Sequence, residues 1–420
     1  MSAAPGHVRV LRDLAEAPPG GPLRHGDVRV LAWLDGLGSL LRAPATARRH
    51  PELGPLGAFL GSGRLRRLLD ATDPRAPYLR RPRGLVLHIP PANVDGLLVY
   101  GWALSALAGN SNIVRIPTGG SAASEELVAL VRQSLAEADP AVGHTQRPVR
   151  YGHDAQTTAA YSYACDLRVI WGGDATVTAL RGHPLRPRAR DLTFPDRSSF
   201  VLLSAAGWRR ADADGRREAA AALYRDALWF DQDACASPRT VIWAGADPGS
   251  VSVARAELRS WLTTVSREGP PQADASRAVH QRVTMYSLAA DGTVPALSFT
   301  DTGLAFAELG PDTPLWRGWA GPGTFVQRRI ASLDELPPLI RPSDQTLAHW
   351  GLERPELDAL AELLAPYGID RIVPLGQALD FDPVWDGYDL LHEFSRLTAL
   401  VPYGARAPAP HPTYRRTSRP

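Results

Sequence analysis

Two cysteines are the only thiols in this chain, and one of them stands where a substrate would reach it. Cys235 lies in DQDACASPR (Asp231–Arg239), a polar loop between a predicted helix over Arg216–Phe230 and a predicted buried strand over Thr240–Ala244. Its neighbours Asp233, Ala234, Ala236 and Ser237 are small or polar. A thiolate so placed is a nucleophile for acyl chemistry. The competing reading is a small buried hydrophobe, the usual fate of a lone Cys. Cys165, inside a predicted helix just ahead of a strand, reads as core. The turn WGGD (Trp171–Asp174) closes another apolar run. Its two glycines permit a tight turn, Asp174 is placed to cap the helix that follows, and N–H groups at a helix start bind phosphate. An ordinary strand-to-helix turn has the same composition. Asn93, in PPANV, carries an amide that either donates to an oxyanion or caps a turn. No GxGxxG, GxxxxGK[ST], GxSxG or HExxH motif occurs, and no Cys/His cluster, so no metal is expected.

The elements that must position these residues alternate. Apolar runs at Gly84–Ile89, Asn112–Ile116, around Val149, and at Leu167–Trp171 predict strands. Between them, Leu97–Leu107, Ser121–Asp139 and Ala155–Ala164 predict helices, the first closed by Gly109 as a left-handed cap. This order predicts an α/β fold with a parallel, doubly wound sheet. A second α/β region opens at Ser199–Leu203. Residues 1–80 predict a helical preface, including an amphipathic helix over Val28–Arg42, and the Pro- and Arg-rich tail 404–420 predicts disorder.

Composition narrows the function class. The chain has 420 residues, 44% of them apolar and 21% charged, with a formal net charge of +2. That balance argues against a nucleic-acid partner. All basic residues are Arg or His, so no Lys is available as a Schiff-base former or general base. No run of about 18 apolar residues predicts a membrane span, and the first residues lack the apolar core of a signal peptide. Two cysteines without a CxxC spacing predict a reduced, cytoplasmic protein.

Taken in order and spacing, these segments resemble the aldehyde dehydrogenase superfamily, and within it the LuxC-type acyl-thioester reductases. LHIPPANV resembles the segment bearing the oxyanion Asn, here Asn93. ALAGNSNIVRIP (Ala106–Pro117) resembles the segment that reaches the adenosine ribose, which implies cofactor contacts for Arg115 and Pro117. VIWGGDATV resembles the turn beside the cofactor pyrophosphate, implying Trp171, Gly172, Gly173 and Asp174. DQDACASPR resembles the nucleophile loop, which implies Cys235, and Gly368–Leu391 resembles a C-terminal signature. The superfamily's water-activating Glu falls on Thr193, which implies slow hydrolysis of an acyl-enzyme. The Glu that holds the nicotinamide ribose has no clear counterpart near Gly321–Gly323.

The resemblance implies two Rossmann-like three-layer α/β/α domains with a cleft between them. Helices over 1–80 would pack on a cofactor domain at 81–195, a catalytic domain would span 196–375, and 376–403 would return to the cofactor domain or an oligomer interface. The implied reaction is reduction of an acyl thioester, on coenzyme A or acyl carrier protein, to an aldehyde through acyl-Cys235. NADPH is favoured by the Arg115 guanidinium, with NADH the alternative. A homo-oligomer (dimer or tetramer) and an acyl-activating partner protein are further implications. The rival readings are a cofactor-independent Cys acyltransferase or thioesterase, and a non-catalytic scaffold.

Overall fold

A computed structural model describes residues 6–71, 78–91, 93–269 and 275–401. The tail 404–420, predicted to be disordered, lies outside the described residues.

Near-continuous apolar runs mark strands covered on both faces, and here they form two sheets. Strand β1 (Tyr78–Pro82) stands apart from both. Strands β2 (Leu85–Ile89), β3 (Ser111–Ile116), β4 (Gln146–Arg150), β5 (Leu167–Trp171) and β6 (Arg190–Phe194) make the first sheet, in the order β4-β3-β2-β5-β6, with every pairing parallel. Strands β7 (Ser198–Ser204), β8 (Pro238–Ala244), β9 (Ala296–Phe299), β10 (Ala305–Glu308), β11 (Thr324–Ile330), β12 (Asp344–Trp350) and β13 (Arg371–Pro374) make the second, in the order β13-β12-β7-β8-β11-β10-β9. Only the edge strand β9 runs antiparallel to its neighbour. Every residue of β7 is buried, as a central strand requires. The chain then returns through a hairpin, β14 (Val384–Trp385) and β15 (Tyr388–Asp389), to β16 (Ser395–Ala399). Strand β16 pairs antiparallel with β1, Tyr78 opposite Ala399 and Pro82 opposite Ser395.

Most predicted helices keep their bounds. Val28–Arg42, Leu97–Leu107 and Ala155–Ala164 are helices as read, and Gly109 has a φ of +90° just past the second. Leu97–Leu107 is buried all round, which suits a helix that is apolar on every face. Three readings change. Cys165 is the C-cap of its helix rather than a residue within it, because the backbone there is already extended. The helix before the Cys235 loop runs Ala213–Leu228, since Asp212 caps it early and the left-handed Asp231 and Gln232 follow its end. Asp174 is the first residue of its helix, and Gly173 takes the N-cap position without a side-chain bond.

The N-terminal helices pack on the first sheet's helices. Trp33 donates to Ser134 Oγ at 3.0 Å and lies 5.5 Å from the Trp102 ring. An aromatic cluster joins the three parts of the chain: Phe59 from the preface, Tyr100 and Trp171 from the first sheet's layer, and Phe381 and Trp385 from the returning segment. Among the described residues, no helix is long and apolar enough to cross a membrane.

Candidate active site

The loop that carries Cys235 is held from several directions. Asp231 and Gln232 have φ values of +52° and +58°, a conformation that costs a non-glycine residue about 1–3 kcal/mol and persists only where the surroundings impose it. Those surroundings are visible. Gln232 is buried, donates to the carbonyls of Pro238 (3.1 Å) and Thr324 (2.8 Å), and accepts from the Thr324 N–H at 2.9 Å. Trp319 donates to the Asp231 carbonyl at 2.9 Å, and Arg277 pairs with the Asp231 carboxylate at 2.7 Å. The carbonyl of Cys235 itself accepts from Ser199 Oγ on β7, at 2.7 Å. The nucleophile candidate therefore sits on a rigid turn between the Ala213–Leu228 helix and β8.

Cys235 lines two cavities. One, of about 640 Å³, is walled by Val94, Leu97, Trp229, Phe230, Phe381 and Trp385, among others. The other, of about 1120 Å³, is a polar cleft whose walls include Asn93, Arg115, Trp171, Gly172, Gly173 and Cys235. Burial pushes the thiol up to about 11, reinforced by the Asp386 carboxylate and opposed by Gln345, Arg239 and the Ala236 N–H. Cys165, by contrast, is fully buried, donates to the Ser162 carbonyl at 3.2 Å, and is pushed by burial to about 12.

The cleft gathers the residues singled out in the sequence, with two exceptions, Asp174 and Pro117. Asn93 is exposed, and its amide donates to the Asp233 carbonyl (3.3 Å) and carboxylate (3.4 Å), two residues before Cys235. Arg115 lies over the Tyr151 ring (5.2 Å) and donates to the carbonyls of Tyr151 (3.5 Å) and Gly152 (3.3 Å). Trp171 stacks on Phe194 at 3.7 Å, forming part of the cleft wall. Asp174 does not line the cleft. Its N–H donates to Asp196 Oδ2 at 3.1 Å while its own carboxylate accepts from the Asp196 N–H at 3.3 Å, a reciprocal clasp at the helix start. Pro117, just past β3, is the second exception: it is absent from both the cleft wall and this clasp. Thr193 accepts from Arg181 at 3.2 Å on the flank of β6, so no carboxylate occupies that position. Gly321 borders a smaller cavity of about 180 Å³, which shares Arg239 with the cleft.

Sequence reading passed over four residues here. Arg197 and Arg239 line the cleft, but in a chain whose basic residues are so often Arg neither stands out. Gln345 on β12 donates to Cys235 Sγ at 3.5 Å and to the Asp386 carboxylate. Asp386 lay within the C-terminal signature, and its WDG spacing was the available signal. Among the described residues no group of three or more His, Cys, Asp or Glu side chains is arranged to hold a metal ion.

The cleft brings three guanidinium-bearing residues, Arg115, Arg197 and Arg239, two carboxylates, Asp196 and Asp233, and a glycine turn to one cavity. The turn is tight: a Cβ at Gly173 would come within 3.1 Å of the Asp196 carboxylate, closer than an ordinary van der Waals contact.

Comparison with known proteins agrees with this architecture. Residues 62–293, more than half of the chain, match the family model described as acyl-CoA reductase (LuxC). No curated protein matches the chain. Among solved structures, an oxidoreductase from Marinobacter aquaeolei is similar with a TM-score of 0.68 at 11% identity, covering 93% of this chain and 90% of that one. A Mycobacterium tuberculosis aldehyde dehydrogenase complexed with NAD+ is similar with a TM-score of 0.65 at 11% identity, covering 96% and 92%. An NAD-dependent aldehyde dehydrogenase from Sinorhizobium meliloti has a TM-score of 0.64 at 15% identity, covering 96% and 88%. The chain belongs to the LuxC acyl-CoA reductase family, oxidoreductases of acyl and aldehyde groups built on the aldehyde dehydrogenase fold.

Proposed function

We propose that the protein reduces an acyl thioester to an aldehyde through a thioester on Cys235. The observation that carries this reading is that Cys235 lines both an apolar cavity and a polar cleft. In this reading the first sheet's unit holds a nicotinamide cofactor, the second sheet's unit carries the nucleophile, and the returning segment 376–401 closes the site from outside.

The acyl chain lies among Leu97, Phe230, Phe381 and Trp385. The Cys235 thiolate attacks the thioester carbonyl, and the Asn93 amide, bonded to Asp233 two positions before Cys235, swings to the oxyanion with the Cys235 N–H beside it. Losing one such donor typically costs about 100- to 1,000-fold in rate. The carbonyl reforms as the pantetheine thiolate leaves, giving acyl-Cys235. A reduced nicotinamide cofactor, when bound, would be held by Arg115, Trp171, Gly172 and Gly173 and would supply the hydride, which the acyl-Cys235 carbonyl accepts. Cys235 then leaves as a thiolate, releasing the aldehyde. Thr193 brings no carboxylate to activate water, which spares the intermediate from hydrolysis. Arg115, Arg197 and Arg239 suit the phosphates of the cofactor and the thioester carrier. NADPH is the better fit because Arg115 is already held over Tyr151 as a fixed guanidinium.

The deciding experiment follows NADPH consumption with a panel of acyl-CoA thioesters, trapping the aldehyde. The native protein forms aldehyde and Cys235→Ala forms none. Acylation of Cys235 without NADPH consumption would select the acyltransferase reading instead.

A further inference from the structure

Gln345 is fully buried on β12, 110 positions from Cys235 in sequence. Its Nε2 has two hydrogens and two acceptors: Cys235 Sγ at 3.5 Å and the Asp386 carboxylate. Its Oε1 accepts from Thr346 Oγ1 at 3.3 Å. An ionised carboxylate accepts hydrogen bonds and donates none, so Asp386 permits only one orientation of the amide. Asp386 belongs to the two-residue turn of the β14–β15 hairpin, where it and Gly387 have φ values of +49° and +74°. Asp-Gly is the preferred pair for such a turn, but hairpin tips usually face water, and Asp386 is only 8% exposed. Turning a carboxylate inward is costly without a partner. Its partner is the amide that touches the sulfur.

We propose that Gln345 is a hydrogen-bond donor to the Cys235 sulfur, and that Asp386 is the positioning residue that fixes which end of the amide faces it. This deepens the reading of Cys235 as nucleophile and rests on it. The N–H interaction grows as negative charge develops on sulfur, when the thiol ionises and again when the aldehyde leaves, and differential binding accelerates such steps. The carboxylate opposes a resting thiolate, so Cys235 is held as a thiol until it is used. Other charged groups bear on the pair: Arg239 and Asp233 from the Cys235 loop, Arg197 beside β7, Asp226 from the Ala213–Leu228 helix, and Arg371 and Asp370 near β13.

The test is the pH dependence of Cys235 alkylation by iodoacetamide, located by peptide mass spectrometry, in the full chain without substrate or cofactor. Gln345→Met is expected to slow alkylation at pH 8 about tenfold, the equivalent of about one pKa unit, with the melting temperature monitored in parallel. Asp386→Asn removes the like charge and speeds alkylation. In that background Gln345→Met should have less than a third of its former effect on the logarithm of the rate, because the amide is no longer oriented. An unchanged pH profile in Gln345→Met overturns the donor role. An equal effect in both backgrounds overturns the positioning role. If Gln345→Met does not fold, Gln345→Glu keeps the shape and presents an acceptor; it must slow alkylation at least as much, and an unchanged rate again refutes the donor. Alkylation needs neither thioester nor nicotinamide, so a protein that forms no aldehyde but shows these shifts loses only the reductase reading.

Discussion

The two cavities that meet at Cys235 are made differently. The apolar one is walled by residues drawn from four distant stretches of chain, Glu52 and Pro55, Val94 and Leu97, Arg225 to Ala236, and Gly376 to Trp385, with most of its apolar members packed as core. The polar cleft is made from turns at strand ends, where ligands of parallel sheets commonly bind, and its polar groups are already bonded to one another. Asn93 is tied to Asp233, Asp196 to the Asp174 N–H behind it, and Arg115 to the backbone of Tyr151 and Gly152. The difference separates two modes of selection. A ligand in the apolar cavity competes only with volume. A ligand in the cleft must replace internal hydrogen bonds with its own, so it is chosen by the match of donors and acceptors.

Three substitutions sharpen this contrast. The largest effect is expected in the apolar wall. Ala234→Leu fills space beside Cys235 and should lower kcat/KM for the longest accepted acyl chains about 10- to 100-fold, leaving the shortest nearly unchanged. An equal loss at every chain length would mean that the cavity does not hold the acyl group. In the cleft, Arg115→Ala should raise the KM for NADPH about tenfold, the scale of one charge-assisted hydrogen bond, with little change for NADH. Equal effects on both cofactors would remove Arg115 from 2′-phosphate recognition. The smallest effect concerns the seam between the Ala213–Leu228 helix and the returning segment. Asp226 is buried, accepts from the Gly376 (2.6 Å) and Ala378 (3.2 Å) N–H groups, and is pushed by burial to about 7. Its folded form holds a proton that the unfolded chain releases near 3.8, so its contribution to stability falls as pH rises through that interval. Native protein should therefore melt about 2 °C lower at pH 8 than at pH 6 from this group alone, a difference that Asp226→Asn removes. A pH difference that persists in the variant would assign it to other groups.

The same contrast governs what was legible beforehand. Strands β2, β3 and β5 and the Leu97–Leu107 helix were readable because burial on all sides leaves continuous apolar runs. Cys235 was readable because a polar loop between a helix and a buried strand is an unusual place for a thiol. The groups that act on its sulfur were not. Gln345 is an uncharged amide in a strand and Asp386 an Asp before Gly, both unremarkable until the fold brings them together. Asp174 was misread as a cap because Asp is a common capping residue, while Asp196, 22 positions away, takes that amide instead. Side chains that meet across the fold leave no periodic trace in the chain.

The β1–β16 ribbon joins Tyr78 to Ala399, and this has a consequence for how the protein comes into being. A ribosome adds about 5–20 residues per second, and early segments begin to fold before late ones exist. The first sheet and the Cys235 loop can be complete while Phe381, Trp385 and Asp386 are still unmade. The thiol then lacks one wall of its cavity and the anchor of its neighbouring amide. Cys235 thus gains its full set of neighbours only once residues 381–386 have been made, well after its own loop.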